Sequence, residues 1–339
     1  MGPGLGGGHG RHEGLYGMIS DNIRQMNVVL ADGSSILVSE TSHSDLYWGM
    51  RGAGHNFGIV TSFEANIYPR GPDTWYYRNY IWSGDKLDPV FKALNTFHNN
   101  GSTPVNMTVN FGQFIYNATV SEVNPVIWWT FGYRGSAKEA EKLLAPFNAI
   151  QTVYTEFGDV PYPTIADVQG TGEQGFLCQH NKIRISSTAG LQVYNLTAEH
   201  QIYDGFVRRL KTNPVLGKGG VIVHEGYSTQ GVDRINPEVS AYPFRADHHL
   251  NLFNVIIEPH SGLEDAAWQW ANEVKDQWNG GQPTRLPNAY VNYASGFESL
   301  EQRYGHEKWR LQRLRGLKAK YDPHNSFRFY NPIVKHGNH

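Results

Sequence analysis

Residues 45–64, DLYWGMRGAGHNFGIVTSFE, carry the pattern that decides how the chain folds. An amphipathic segment around Leu46 and Trp48 runs into a loop with Gly52, Gly54 and Gly58, which opens into a β-rich run from Ile59 to Ile67. Glycines at this density leave the backbone without Cβ obstruction, so it can approach a flat or charged ligand closely. Pro69 and the following Gly71, Pro72 and Asp73 close the unit.

Upstream, Val28 to Leu30 lead into Asp32-Gly33 and then Ile36 to Val38, the pattern of a hairpin whose Asp-Gly pair supplies positive φ values. Before it stands GLGGGHGRHEGLYG, residues 4–17. Its glycine run matches neither a P-loop nor a strand-GxGxxG-helix fingerprint, since no strand precedes it. A flexible tail, for its part, has no need of the interleaved His9, Arg11, His12 and Leu15.

Downstream, strands alternate with helices between about 75 and 285, as in a sheet covered by helices on one face. Met107, Val109 and Phe111 alternate with polar neighbours, and VIWWTFGY from Val126 is a second strand. Ser136 and Glu139 form a capping box ahead of Ala140, Leu143, Leu144 and Phe147 at helical spacing. Another helix is predicted from about Leu263 to Trp278 and stops at Gly280-Gly281. GGVIVHEGYS and HLNLFNVIIEP read as strands, and a late helix carries Leu311, Leu314 and Leu317 on one stripe.

A chain of 339 residues, 40% hydrophobic and 18% charged, is a globular composition for one large or two ordinary domains. Its 29 Lys and Arg against 31 Asp and Glu leave a net charge of −2, no field for nucleic acid or an anionic membrane, so a small-molecule partner is expected. The 9 Trp and 19 Tyr either line a pocket for flat or sugar-like ligands or fill a sheet-rich core. Cys178 is the single cysteine, which excludes an internal disulfide framework and cysteine-based metal clusters. The histidines form no HExxH, and adjacent His248 and His249 on a strand point to opposite faces, so no metal site is expected. Four sequons begin at Asn100, Asn106, Asn117 and Asn195, a hint of a glycoprotein. As written, the chain is expected to be soluble and without an export signal, having neither a signal-peptide pattern nor a run of about 18 apolar residues.

GLGGGHGRHEGLYG, DLYWGMRGAGHNFGIVTSFE, YVNYAS and DPHNSFRFYNPI stand in the order and spacing of FAD-linked oxidases of the berberine-bridge type, within the vanillyl-alcohol-oxidase-like superfamily, and resemble the fungal members most. The resemblance implies an α+β fold: a partial FAD-binding domain of the vanillyl-alcohol-oxidase type plus an α+β substrate domain with a helix-covered sheet. Residues 1–70 would be the second half of the FAD-binding domain, 71–285 the substrate domain and 286–339 the return to the flavin. Gly6, Gly7, Gly8 and Gly10 look like the loop along the isoalloxazine and ribityl chain, and Asp21 and Asn22 like a flavin-contacting turn. Gly54, Gly58, Ile59 and Val60 resemble the loop and strand whose backbone touches the cofactor. Asn292 looks like the flavin-side asparagine, and Tyr290 like a tyrosine placed over the flavin near the substrate. Period-2 alternation agrees, directing Tyr290 and Asn292 to one face.

Departures shape the expectation for chemistry. The family's pyrophosphate loop and the histidine and cysteine of covalent flavin attachment belong to an upstream half that this sequence lacks; Cys178, His9 and His12 do not replace them. Any FAD is therefore expected to bind weakly and non-covalently, if it binds at all. Many relatives also place a Glu or Gln on the strand after an arginine motif like Ala241 to Arg245. Here the face expected to meet the flavin carries His249, Asn251, Phe253 and Val255, and neither Glu225 nor Glu258 falls into place. Tyr290, aided by His249 or His180, is the candidate base, since a phenol near pKa 10 needs a positive or hydrogen-bonding partner to act.

The expected function is oxidation of a secondary metabolite or sugar, hydride passing to flavin N5 and dioxygen re-oxidising the flavin. Two alternatives stand beside it: a cofactor-independent cyclase or pericyclase reusing the fold, and an inactive truncated gene product. Full-length relatives would suggest secretion.

Overall fold

The structure is a computed structural model that describes residues 2–98 and 103–334. By its internal contacts the chain divides into two compact units.

The first unit comprises Met1–Pro69, Thr229–Ala246 and Leu286–His339. The stretch Thr229–Ala246 belongs here, although sequence alone leaves it inside 71–285. Strands β1 (Ile23–Val29), β2 (Ser35–Ser39) and β3 (Ile59–Ala65) form an antiparallel sheet in the order β2-β1-β3. Only Gly33 of the Asp-Gly pair takes a positive φ, 85°. The Asp32 carboxylate instead accepts the Ser34 N–H at 2.9 Å, an Asx turn that widens the connection beyond the tight turn expected.

Helix Ser44–Ala53 buries Leu46, Trp48 and Met50 against Phe57 and the leucine stripe Leu311, Leu314 and Leu317 of helix Lys308–Tyr321. Spacings of three residues put those leucines on one face, which explains why the helix packs despite its many basic residues. The buried Lys318 Nζ donates to the Asp322 carboxylate at 2.7 Å and to the Asn56 and Phe327 carbonyls at 2.8 Å each. Its three N–H donors are thus matched by three acceptors, which ties the C-terminal coil to the second glycine loop.

The second unit comprises Arg70–Ser228 and Asp247–Arg285. Its strands are β4 (Thr74–Trp82), β5 (Met107–Ile115), β6 (Val126–Tyr133), β7 (Tyr154–Pro161), β8 (Ile183–Leu191), β9 (Gly220–Gly226) and β10 (His249–Ile257). They form one antiparallel sheet in the order β7-β4-β6-β5-β9-β10-β8. Helices Leu87–Phe97, Ala137–Asn148, Leu196–Thr212 and Glu264–Gly280 cover one face, where Trp82, Phe114, Trp129, Phe253 and Trp270 meet. On the other face Trp75, Tyr77, Val109, Phe111, Val221 and Val223 gather around Ile165. Strand β4 is buried on both faces and so shows no alternation, which is why periodicity does not reveal it.

The capping box is formed: Ser136 Oγ accepts the Glu139 N–H, and the Glu139 carboxylate accepts the Ser136 N–H. Of the sequon asparagines, Asn195 is the N-cap of helix Leu196–Thr212, accepting the Ala198 N–H at 3.1 Å. Asn100 lies outside the described residues. Among those described, no helix is long and apolar enough to cross a membrane.

Candidate functional site

The glycine run between the helical turns Gly2–Leu5 and Glu13–Tyr16 is held from within the first unit. Gly6 N–H donates to the Pro3 carbonyl at 3.1 Å, Gly7 N–H to that of Gly4 at 3.4 Å, and Gly10 N–H to the Glu13 carboxylate at 3.1 Å. The Gly7 and Gly8 carbonyls accept the Ser20 and Ile19 N–H groups at 2.8 Å. Buried backbone groups must find partners, and these amides find them inside the chain. The loop therefore offers a rigid backbone surface rather than a row of open N–H donors.

Asp21 and Asn22 lie on the single turn Ile19–Asn22 that braces this loop. The Asp21 carboxylate accepts the Arg245 guanidinium as a fork, at 3.0 and 2.5 Å, and the Met18 N–H at 2.9 Å. The Asn22 amide donates to the Tyr16 and Met18 carbonyls at 3.0 and 2.9 Å, while its oxygen accepts the Tyr68 hydroxyl. In the second loop, Gly54 packs on Leu5 and Gly58 on Val28, while Ile59, 59% exposed, and the half-buried Val60 begin β3.

Tyr290 and Asn292 lie on a turn and not on the strand that alternation suggests: the Tyr293 and Ala294 N–H groups both return to the Tyr290 carbonyl, at 2.8 and 2.9 Å. The two side chains meet all the same. Asn292 Nδ2 donates to the Tyr290 hydroxyl at 2.6 Å, while the intervening Val291 is buried in the apolar core. The His9 backbone N–H also donates to the Tyr290 hydroxyl, at 3.3 Å. Burial pushes this phenol up to about 12. Hydrogen bonds from Asn292 and from the backbone at His9 and Gly8 pull against that rise, and the Glu13 charge adds to it.

The two glycine loops converge on Tyr242, which sequence did not single out. A Cβ on Gly7 (φ 103°) would stand 2.6 Å from the Tyr242 ring, and one on Gly52 (φ 142°) 2.2 Å from its backbone nitrogen. The Tyr242 hydroxyl lies 2.9 Å from His9 Nε2, and His9 Nδ1 lies 2.9 Å from the Glu13 carboxylate. The four-residue spacing of His9 and Glu13 is a signal present in the sequence. Nothing local to Tyr242 marks it as their partner.

The other two candidates belong to the second unit. His249 lies on the helix-covered face of β10, its ring 4.2 Å from those of both Tyr194 and His98. Burial, with the neighbouring histidines, holds it well below the usual histidine range and hence neutral. The strand face carrying His249, Asn251, Phe253 and Val255 is thus packed under helices. Glu225 points from the opposite face of the sheet, paired in register with Leu250 and Phe111 and accepting the Tyr227 hydroxyl at 3.1 Å. His180 is exposed. Among the described residues, no group of three or more His, Cys, Asp or Glu is placed to hold a metal.

The residues present suit a planar cofactor on the first loop. A Cβ on Gly10 would meet nothing nearer than Ile19 Cγ1 at 3.8 Å, so packing does not demand glycine there. The missing side chain leaves one side of a rigid backbone clear, which close approach of a flat ring requires.

Residues 289–334 match the family described as "Berberine and berberine like". The FAD-linked oxidoreductase anuG of Penicillium roqueforti is 52% identical over 334 residues, spanning 98% of this chain and 65% of that protein. The FAD-linked oxidoreductase chyH of Penicillium rubens is 32% identical over 337 residues, spanning 98% of this chain and 67% of that protein. The chain thus spans about two thirds of the length of these relatives. Among solved structures, the xylooligosaccharide oxidase from Myceliophthora thermophila C1 superposes with a TM-score of 0.78 over 99% of this chain and 71% of that one. At 20% identity, this likeness shows the fold alone.

Proposed function

Because the chain belongs to the berberine-bridge-type FAD-linked oxidoreductases, whose α+β fold it shares, we propose that it takes part in the flavin-dependent oxidation of a small hydroxylated molecule, a secondary metabolite or a sugar. What bound flavin supplies is a two-electron acceptor for the substrate's hydride. Gly6, Gly7, Gly8, Gly10, Gly54, Gly58, Ile59, Val60, Asn292 and the turn at Asp21 and Asn22 are the residues that would hold it.

The single observation that carries the proposal is the Tyr290 hydroxyl, buried against the glycine loop between Asn292 and the His9 N–H. Two donors fix the orientation of the phenol oxygen and favour its phenolate form, the form able to accept a proton. Ionised by loss of its own proton to solvent, Tyr290 would take the substrate's proton and end as the neutral phenol, while the Asn292 amide and the His9 N–H would stabilise the phenolate oxygen. The sugar alternative draws on the name of another protein, the xylooligosaccharide oxidase, whereas the relatives' names, FAD-linked oxidoreductases, state no substrate.

The test is spectroscopic. The purified chain, supplied with FAD, should show the visible band of oxidised flavin, and that band should bleach when sugars or hydroxylated metabolites are added without oxygen. A chain that takes up no flavin, or whose flavin no such donor bleaches, would end this assignment.

A further inference from the structure

Three groups converge on the His9 imidazole, each from a different segment of the first unit. Glu13, one helical turn on, meets Nδ1 at 2.9 Å through one carboxylate oxygen and at 3.1 Å through the other. The Tyr242 hydroxyl, from Thr229–Ala246, lies 2.9 Å from Nε2. The Tyr290 ring stands edge-on at 5.0 Å, its hydroxyl bonded to the His9 N–H. In the same unit Asp21 and Arg245 bind each other, and Arg51 also feels the charges of both.

Two features of this cluster bear on its charge. The side chains of His9 and Glu13 are 5% and 2% exposed, so water does little to screen either. A carboxylate in such a place is costly unless a cation faces it, and a histidine within hydrogen-bond reach of one is biased towards its protonated form. The second ring nitrogen meets a hydroxyl, which accepts from an imidazolium N–H as readily as it donates to a neutral nitrogen.

We propose that His9 is a charge-compensating, positioning residue for Tyr290: Glu13 keeps its imidazole protonated, and that positive charge offsets the Glu13 carboxylate where Tyr290 must carry phenolate character. The inference rests on the assignment of Tyr290 as proton acceptor. In the working state Glu13 accepts from Nδ1–H, Nε2–H donates to the Tyr242 oxygen, and the His9 N–H donates to the Tyr290 oxygen. The Tyr290 phenolate would take the substrate's proton and end as the neutral phenol, bound flavin would supply the acceptor for the hydride, and the imidazolium keeps its own proton throughout. Loss of that proton as pH rises leaves Glu13 facing Tyr290 uncompensated, and proton abstraction weakens. The Glu13 contribution to the acidity of Tyr290 has the sign this scheme requires, since its charge opposes phenolate.

The experiment has two readouts on the same variants, wild type, Glu13→Gln and Tyr290→Phe. The first needs neither flavin nor activity. Side-chain ¹⁵N NMR of labelled protein follows His9 protonation, and the ¹³Cζ resonance of Tyr290, assigned by its loss in Tyr290→Phe, reports the neighbouring charge. Expected are a His9 midpoint about one pH unit or more above the ordinary histidine value near 6.5, an inflection of Tyr290 at the same pH, and a fall of both in Glu13→Gln. The second readout is the pH dependence of flavin reduction by substrate, whose basic limb should move down with the His9 midpoint in Glu13→Gln.

A neutral His9 at pH 7 in the wild type, or a Tyr290 resonance blind to His9, would overturn the proposal whether or not the protein proves to be an oxidase. A basic limb that stays in place in Glu13→Gln would do the same. Glutamine retains an acceptor for His9 and for the Gly10 N–H, so the loop keeps its bonds. Loss of all activity with both NMR signatures intact would count against the oxidase assignment and leave the charge pair standing.

Discussion

The Asn292 side-chain amide donates to the Tyr290 hydroxyl at 2.6 Å and, from the same nitrogen, to the Pro3 carbonyl at 3.0 Å. One residue thus fixes a phenol from the C-terminal segment to the start of the first glycine loop. The His9 N–H approaches the same hydroxyl, so the orientation of Tyr290 depends on both partners.

Replacement of Tyr290 by Phe keeps the ring and removes only the hydroxyl. Turnover should fall about 10²- to 10⁴-fold, the range for a lost general acid–base group. The fold should lose roughly 1–3 kcal/mol, because the hydroxyl accepts from both Asn292 and the His9 N–H and both bonds go. Stopped-flow flavin reduction beside a urea melt checks both. Wild-type turnover would remove this tyrosine from the mechanism.

Asn292→Ala should act first on cofactor retention and only second on turnover, because the amide braces the loop as well as the phenol. Gly6→Ala should reproduce part of that defect, since the new Cβ would stand 2.1 Å from Asn292 Oδ1 and push the amide away. Overpacking of this kind costs about 1–3 kcal/mol. Equilibrium dialysis with FAD is the measurement. Equal flavin affinity in wild type and both variants would show that the amide holds no cofactor.

Lys318→Met should destabilise the first unit by about 3–5 kcal/mol, as breaking a buried ion pair does. Lys318 and Asp322 have side chains 2% and 0% exposed, so the remaining carboxylate would be left in the interior. Burial opposes ionisation of Asp322, but Lys318 and the Phe327 and Ser326 N–H groups hold it below the usual carboxylate range. Removal of the lysine takes away the strongest of those supports. A shift of the urea midpoint below what 1 kcal/mol would produce would count against this account.

Acid should destabilise the protein well before its carboxylates titrate. Burial lowers His98 to about 3 and His55 to about 4, and it lowers His249 strongly as well. Each is neutral when folded but free to protonate near pH 6.5 when unfolded. Their contribution is complete above about pH 6.5 and declines as pH falls towards the folded values, by about 1.4 kcal/mol per unit for each histidine that behaves independently. Urea melts at pH 7.5 and 5.5 should therefore give a lower midpoint at the acid end. Coincident melts would mean that these histidines already carry protons in the fold.

Part of this arrangement is legible in the sequence. Glycine at 6, 7, 8, 10, 54 and 58 marks backbone that must pass close to something, and YVNYAS names the two side chains that meet on the first loop. Alternation puts Tyr290 and Asn292 on one face of a strand, whereas residues 290–294 turn back on themselves and the turn brings Asn292 onto Tyr290. His249 was drawn in by its place on a strand with no carboxylate, yet that strand face lies under helices. Which face of a sheet is covered depends on where distant helices pack, and a period of two is silent about it.

What the amino-acid sequence determined by itself is the family, the two glycine loops and the helix-covered sheet, since each is encoded by residues near one another in the chain. Only the tertiary structure decided which histidine attends Tyr290. His9 meets Glu13 four residues away, but its second nitrogen meets Tyr242 across 233 residues and its backbone meets Tyr290 across 281. Hydrogen bonds of that reach are made by the folding of separate segments against the glycine loop, and no local pattern encodes their pairing.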